Sequence, residues 1–278
     1  MRLGGPVFTK NNSNPEDWVD ALKTEGFRAA VFPLRHDADS AIINAYHKAA
    51  SENDIVIAEV GAWSNPISTD SRVRKDALEH CKQQLELAER IGANCCVNIA
   101  GSRGEQWDGP HQDNFTDETF TLIVDVIREI IDAVTPKQTF YTLETMPWIF
   151  PDSIEAYLSL IKAVDRKAFA VHFDPVNLIT SPRVFYHNGS MIKEFVNKLG
   201  PYIKSSHAKD IQLDVEFMVH LNEVIPGAGA LDYRTLLQEL HRLNSDMPLI
   251  LEHLSSIEQY RAAAQYIRKT AEQEKITL

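Results

Sequence analysis

The sequence predicts a single-domain α/β protein, a (β/α)8 TIM barrel over residues 1–278, and three observations carry that prediction. Short apolar runs alternate with amphipathic stretches of helical period along the whole chain. They make eight strand–helix units with no composition break and no linker, a pattern that favours a closed parallel barrel over an open doubly wound sheet. The first run, RLGGPVF, lacks the glycine spacing of a dinucleotide fingerprint, which removes a common open-sheet alternative.

The strands are expected at about 2–8, 27–33, 54–60, 94–99, 139–143, 168–173, 202–206 and 248–251. Between them, NPEDWVDALKTEG enters through Asn-Pro and ends at Gly26, where a C-terminal cap belongs. DSRVRKDALEHCKQQLELAERIG ends on Gly92 in the same way, and TDETFTLIVDVIREIIDAV opens on Thr116 with acidic residues in its first turn. Further helices are expected to begin near Ser153, near Asn188, at Asp232 and near Ser255. Two places fit less well: the run at 202–206 is polar for a strand, and 208–231 is too long for a simple loop.

At 44% apolar and 24% charged residues, the chain can bury a sizeable core without metal or disulfide. The net charge of −11, with no Lys/Arg run, argues against nucleic acid or an anionic membrane as partner, because both demand a basic face. Three cysteines make no disulfide framework; Cys95 and Cys96, adjacent in a strand-like run, read as small buried residues on opposite faces. The first residues lack a signal-like apolar stretch and nothing approaches a membrane span, so a cytoplasmic protein is expected.

In a barrel the chemistry sits where the βα loops converge, at the C-terminal ends of the strands. The fifth strand ends in Glu144, the sixth in Asp174, the seventh in His207 and the eighth in Glu252. Strand alternation puts Thr142 with Glu144 and His172 with Asp174 on common faces. If the terminal residues face the barrel mouth, three carboxylates and an imidazole meet there, and such a set calls for a cation or shared protons. An oxygen-rich set with one nitrogen suits Mn2+, Mg2+ or Co2+ better than a structural zinc, and one divalent ion, Mn2+ first, is the expected cofactor.

The stretches LET, FDPVN, SSHAKD, IPGAGALDY and LILEH, in this order over residues 139–253, resemble the xylose isomerase-like TIM-barrel superfamily, the sugar phosphate isomerase/epimerase family. The resemblance implies that Glu144, Asp174, His207 and Glu252 hold one catalytic divalent ion. It leaves Mg2+, Co2+ and Zn2+ open beside Mn2+. It also implies self-association, since relatives form dimers or tetramers. Endonuclease IV-type repair enzymes share the barrel but add histidines and acids for a zinc cluster. Here the corresponding positions read AEVGAW, NIAGS, Asn177 and Leu221-Asn222-Glu223, which leaves room for one metal.

The implied activity is a metal-dependent sugar isomerase or epimerase that abstracts a proton next to a carbonyl through a metal-stabilised enediolate. Glu144 and Glu252 would be the acid/base pair. A lyase or dehydratase acting on a keto-sugar, keto-inositol or 3-keto-glycoside would use the same site, and a non-catalytic carbohydrate-binding barrel is the third alternative. Substrate contacts are expected from Asn177, Lys209, Trp148, Glu59 and His36, with Phe150 beside Trp148 in an apolar wall. Lys209 and Asp210 would pair to orient His207, and His172 reads as a core histidine with one hydrogen bond. Ketohexose 3-epimerases differ at three substrate contacts, where this chain has Phe150, Asn177 and Leu213. That argues against a free ketohexose as substrate.

Overall fold

The computed structural model describes residues 1–9 and 14–278. Among the described residues the strands, in chain order, are β1 (Arg2–Gly4), β2 (Ala29–Val31), β3 (Val56–Gly61), β4 (Cys95–Asn98), β5 (Phe140–Glu144), β6 (Phe169–Phe173), β7 (Ile203–Ala208), β8 (Asp210–Leu213), β9 (Leu221–Val224) and β10 (Pro248–Leu251). All except β8 and β9 close into a parallel barrel, in which β10 pairs with both β7 and β1. The expected eight-stranded barrel is therefore present, with β1 and β2 shorter than their apolar runs.

The outer layer consists of α1 (Pro15–Thr24), α2 (Ser40–Glu52), α3 (Ser71–Ile91), α4 (Asp117–Val134), α5 (Ile154–Val164), α6 (Pro182–Tyr186), α7 (Asn188–Leu199), α8 (Tyr233–Leu243) and α9 (Ile257–Gln273). Side-chain caps start most of them: Asn14 accepts from Glu16, Asp70 from Arg72 and Val73, Thr116 from Thr119, Ser153 from Ala156 and Asp232 from Thr235. Each such cap contributes about 1 kcal/mol. Helix α3 stops at Gly92, whose φ of 64° is left-handed backbone that glycine adopts without Cβ strain. Helix α2, to which the sequence pattern gave no start, is capped by Asp39. No helix among the described residues is long and apolar enough to cross a membrane.

Most of the core lies between the barrel and the helices. Phe173 stacks on Phe195 of α7 with centroids 4.2 Å apart, and Tyr157 of α5 sends its hydroxyl to both Leu143 O and Ala170 O. That hydroxyl ties β5 to β6 just below the residues that end them. Inside the barrel, Ala29, Ala58 and Ile250 form a separate small plug. Cys96 joins the outer core and Cys95 does not, as alternation along β4 requires.

Strand β7 tolerates polar residues because their hydroxyls find partners within the barrel wall. Ser206 Oγ donates to Phe173 O at 2.7 Å, and Ser205 Oγ donates to Glu59 Oε2 at 3.4 Å. The long 208–231 segment is an antiparallel hairpin of β8 and β9, followed by a turn wrapped around a single carboxylate. Asp210 accepts from the amides of Ile211, Gly227, Gly229 and Leu231 at 2.8–3.1 Å, and it is buried. Charge-assisted bonds of this kind are each worth about 1.5–3 kcal/mol. We expect Asp210→Ala to cost ~3 kcal/mol or more in urea unfolding; a loss under ~1 kcal/mol would show that the turn holds without its carboxylate.

Candidate metal centre

Strand ends β5, β6, β7 and β10 deliver Glu144, Asp174, His207 and Glu252 to one point. A ligand atom from each lies within 4.8 Å of all the others. His207 Nδ1 is 2.8 Å from Glu252 Oε1, 3.2 Å from Glu144 Oε1 and 4.0 Å from Asp174 Oδ2. Pro175 follows Asp174 and biases it toward an extended backbone. Its Oδ1 then accepts from Val176 N at 2.9 Å and Asn177 N at 3.4 Å, which turns Oδ2 toward the centre.

Lys209 is the third inward residue of the β7 alternation, after Ser205 and His207, and it is almost wholly buried. Its Nζ is 2.7 Å from both Asp174 Oδ2 and Glu252 Oε1, and 3.6 Å from Glu144 Oε1. Neither Asp174 Oδ2 nor Glu252 Oε1 receives a well-directed hydrogen bond from the described residues, although both atoms are buried. The contacts with Lys209 are close charge contacts with poor alignment. Asp210 points the other way, into its turn, so the expected Lys209–Asp210 pair does not form: neighbouring strand residues face opposite sides.

The titration of the group follows this geometry. Burial is the largest influence on Glu144 and pushes it up to about 7 despite His207. Burial also works to raise Asp174 and Glu252, but Lys209 beside Asp174, and His207 and Lys209 beside Glu252, leave both below the usual carboxylate range. For His207 and Lys209, burial lowers and the surrounding carboxylates raise; the carboxylates win in both. Two buried carboxylates and the partly buried Glu252 thus share Lys209 and His207. Buried carboxylate oxygens without directed partners, in an O3N donor set, fit a hard or borderline divalent cation. Glu144, Asp174, His207 and Glu252 are the residues that would hold it.

A cavity of about 540 Å³ opens above the cluster. Glu144, Glu252 and Lys209 border it, and Asp174, fully buried, does not. Asn177 lines it and donates Nδ2 to Glu144 Oε1 at 3.1 Å. Trp148 lines it as well, with its indole Nε1 donating to Asp108 O at 2.7 Å, so the loops after β4 and β5 are joined. Phe150 turns away and packs edge-on against Phe115 and Phe120.

Two expected substrate contacts lie elsewhere. His36 does not border the cavity: Gln84 of α3 accepts from its backbone N at 2.9 Å and holds the loop, and its ring sits 5.6 Å from His80. Glu59 is buried beneath His207 and does not border the cavity either. Between Ala30 and Val31 the pairing with β3 skips Ala58, and this bulge leaves Glu59 inside the barrel next to Ala58. His172 is fully buried, 3.3 Å from Glu59 Oε2, yet neither ring nitrogen makes an aligned hydrogen bond with the described residues; burial, then His207, lower it to about 4.

The cavity also contains residues that strand ends alone do not reveal. Trp63 follows β3, Trp107 lies in the loop after β4, and both are partly exposed along its wall. Glu223 of β9 and His253 complete the opposite side, with Nδ1 3.2 Å from Glu223 Oε2. The only signal for the indoles was a large aromatic shortly after a strand.

A closed barrel with an acidic, single-histidine cluster at its C-terminal mouth defines a class of (β/α)8 proteins whose site is built from strand ends. The family model described as "Xylose isomerase-like TIM barrel" matches residues 19–270, and the chain belongs to that family. Solved structures share the fold at low identity. A xylose isomerase-like TIM barrel protein from Mycobacterium smegmatis in complex with magnesium has 15% identity and a TM-score of 0.69, covering 98% of this chain and 95% of its own. A probable 3-DHS dehydratase from Bacillus anthracis has 16% identity and a TM-score of 0.71, with coverage of 96% and 98%. The 3-keto-D-glucoside 4-epimerase from E. coli has 15% identity and a TM-score of 0.70, with coverage of 97% and 99%. The sequence has no match among curated proteins.

Proposed function

We propose that this protein is a divalent-metal-dependent sugar isomerase or epimerase that moves a proton on a carbon next to a carbonyl. One observation carries the reading: of the three clustered carboxylates, Glu144 and Glu252 border the cavity, whereas Asp174 is sealed behind them. Asp174 and His207 are thereby suited to holding an ion, and the two glutamates can also touch substrate. A bound divalent ion would supply Lewis-acid stabilisation of the negative charge that develops on the carbonyl oxygen. One glutamate takes the proton from carbon and the other delivers one to the neighbouring carbon or the opposite face. Lys209 holds Asp174 and Glu252 in place, and Asn177 steadies Glu144.

The walls favour an uncharged sugar. Among the described residues no arginine borders the cavity, and the two basic groups that do are engaged, Lys209 by carboxylates and His253 by Glu223, so neither of these is free for a phosphate or acid group. Trp63, Trp107 and Trp148 offer flat apolar faces to the C–H side of a sugar ring. The similar folds whose names describe an epimerase and a dehydratase make elimination the second outcome to watch for, since it begins with the same proton abstraction.

The deciding experiment is solvent deuterium exchange by the Mn2+-loaded protein with a panel of neutral keto sugars and keto-glycosides. Exchange into the carbon next to the carbonyl supports the proposal, and concurrent release of water or aglycone identifies the lyase. Metal binding without exchange across the panel would overturn it in favour of a binding barrel. Chelation is expected to abolish exchange, with Mn2+ or Mg2+ restoring it; activity that survives complete metal removal would remove the ion from the reaction.

A further inference from the structure

We propose that Glu59 is a positioning residue for the metal centre: it fixes the tautomer and ring orientation that turn the Nδ1 lone pair of His207 toward Glu144, Asp174 and Glu252. The inference rests on the reading that these four residues hold a divalent ion. Glu59 comes from the far side of the barrel, 148 residues before His207, and the bulge at Ala58 is what brings it inside. It has no border with the cavity and therefore no route to substrate.

The geometry divides the two nitrogens of His207. Nδ1 faces the cluster at 2.8 Å from Glu252 and 3.2 Å from Glu144, whereas Nε2 faces Glu59 Oε1 at 3.3 Å. A neutral imidazole carries one proton, and the partner of one nitrogen decides what the other can do. When a cation takes the Nδ1 lone pair, the remaining proton is on Nε2, and Glu59 is the acceptor that meets it. A carboxylate in that place also makes the ring a stronger donor to metal.

Glu59 is itself held on its second oxygen. Ser205 Oγ donates to Oε2 at 3.4 Å, and His172 Nδ1 approaches the same atom at 3.3 Å. The His172 ring meets that of His207 edge-on, at 68° and 4.0 Å between centroids, and so limits its rotation. Glu59, His172 and His207 also lie close enough to be read as ligands of an ion of their own. In that case Glu59 would bind metal directly, and stoichiometry separates the two cases.

The test compares wild type, Glu59→Leu and Glu59→Gln for Mn2+ affinity, by competition with a chromophoric chelator. Alongside, 15N-histidine spectra of the Mg2+-loaded wild type report which nitrogen of His207 carries the proton. Loss of the acceptor in Glu59→Leu is expected to weaken Mn2+ binding ~10–100-fold, the usual effect of removing an outer partner of a ligand histidine. Glu59→Gln keeps an acceptor oxygen and should recover part of that loss. The wild-type spectrum should show Nε2–H.

Wild-type affinity in a folded Glu59→Leu protein overturns the proposal. So does an Nδ1–H tautomer in the Mg2+-loaded wild type, which decides the matter even if the leucine variant fails to fold. Two ions per wild-type chain and one in Glu59→Leu would make Glu59 a ligand instead. A wild type that binds no Mn2+ at all would sink the metal centre, and this inference with it.

Discussion

Glu144→Gln and Glu252→Gln are each expected to lower deuterium exchange and turnover by ~10²–10⁴-fold, the range lost when a positioned acid or base is removed. Glutamine keeps the size and an oxygen donor but can neither take nor give the proton. Both side chains border the cavity and both sit within 3.2 Å of His207 Nδ1, so neither can be replaced from within the site by Asp174, which lies behind them. The comparison needs metal content measured in each variant, because a glutamine is also a weaker ligand. Variants that bind metal fully yet exchange no proton assign the loss to acid/base work. Normal turnover in both would remove these glutamates from the reaction.

Lys209→Met should have its largest effect without metal. Lys209 Nζ contacts Asp174 and Glu252 at 2.7 Å and stands near Glu144. A thioether in its place leaves the buried Asp174 and Glu144, among the described residues, with His207 as their neighbouring cation, while Glu252 keeps His253 as well. Removing one partner of a buried ion pair costs about 3–5 kcal/mol. At ~2–4 °C per kcal/mol for a protein somewhat smaller than this one, the apo melting temperature should fall by on the order of 10 °C. A divalent ion restores positive charge at the same point, so Mn2+ should recover more stability in Lys209→Met than in wild type. An unchanged apo melting temperature would show that the carboxylates manage their charge by taking up protons.

The strand ends were readable because an apolar run that stops on Glu144, Asp174, His207 or Glu252 marks both an element boundary and an exception to its chemistry. The barrel itself followed from periodicity, and the family resemblance from five short stretches in order. What could not be read came from geometry that residue types do not encode. The skipped residue at Ala58 moved Glu59 from a strand end to a place beneath His207. Strict alternation sent Lys209 and Asp210 to opposite sides, one to the charge cluster and one to the hairpin turn. The hairpin of β8 and β9 carries no short turn signal, and a loop pinned by Gln84 drew His36 toward α3. Trp63 and Trp107 stand on connecting segments, where sequence spacing places no side chain.

The two walls of the cavity come from different parts of the chain. The indoles stand on the connections after β3, β4 and β5, whereas Lys209, Glu223, Glu252 and His253 belong to β9 or to the ends of β7 and β10. Loop exchange at the aromatic side can therefore proceed, in the laboratory or over generations, with Glu144, Asp174, His207 and Glu252 left in place at their strand ends. Chemistry would be inherited through the strands and preference acquired through the loops, and a graft into residues 99–116 is the place to redraw what the barrel accepts.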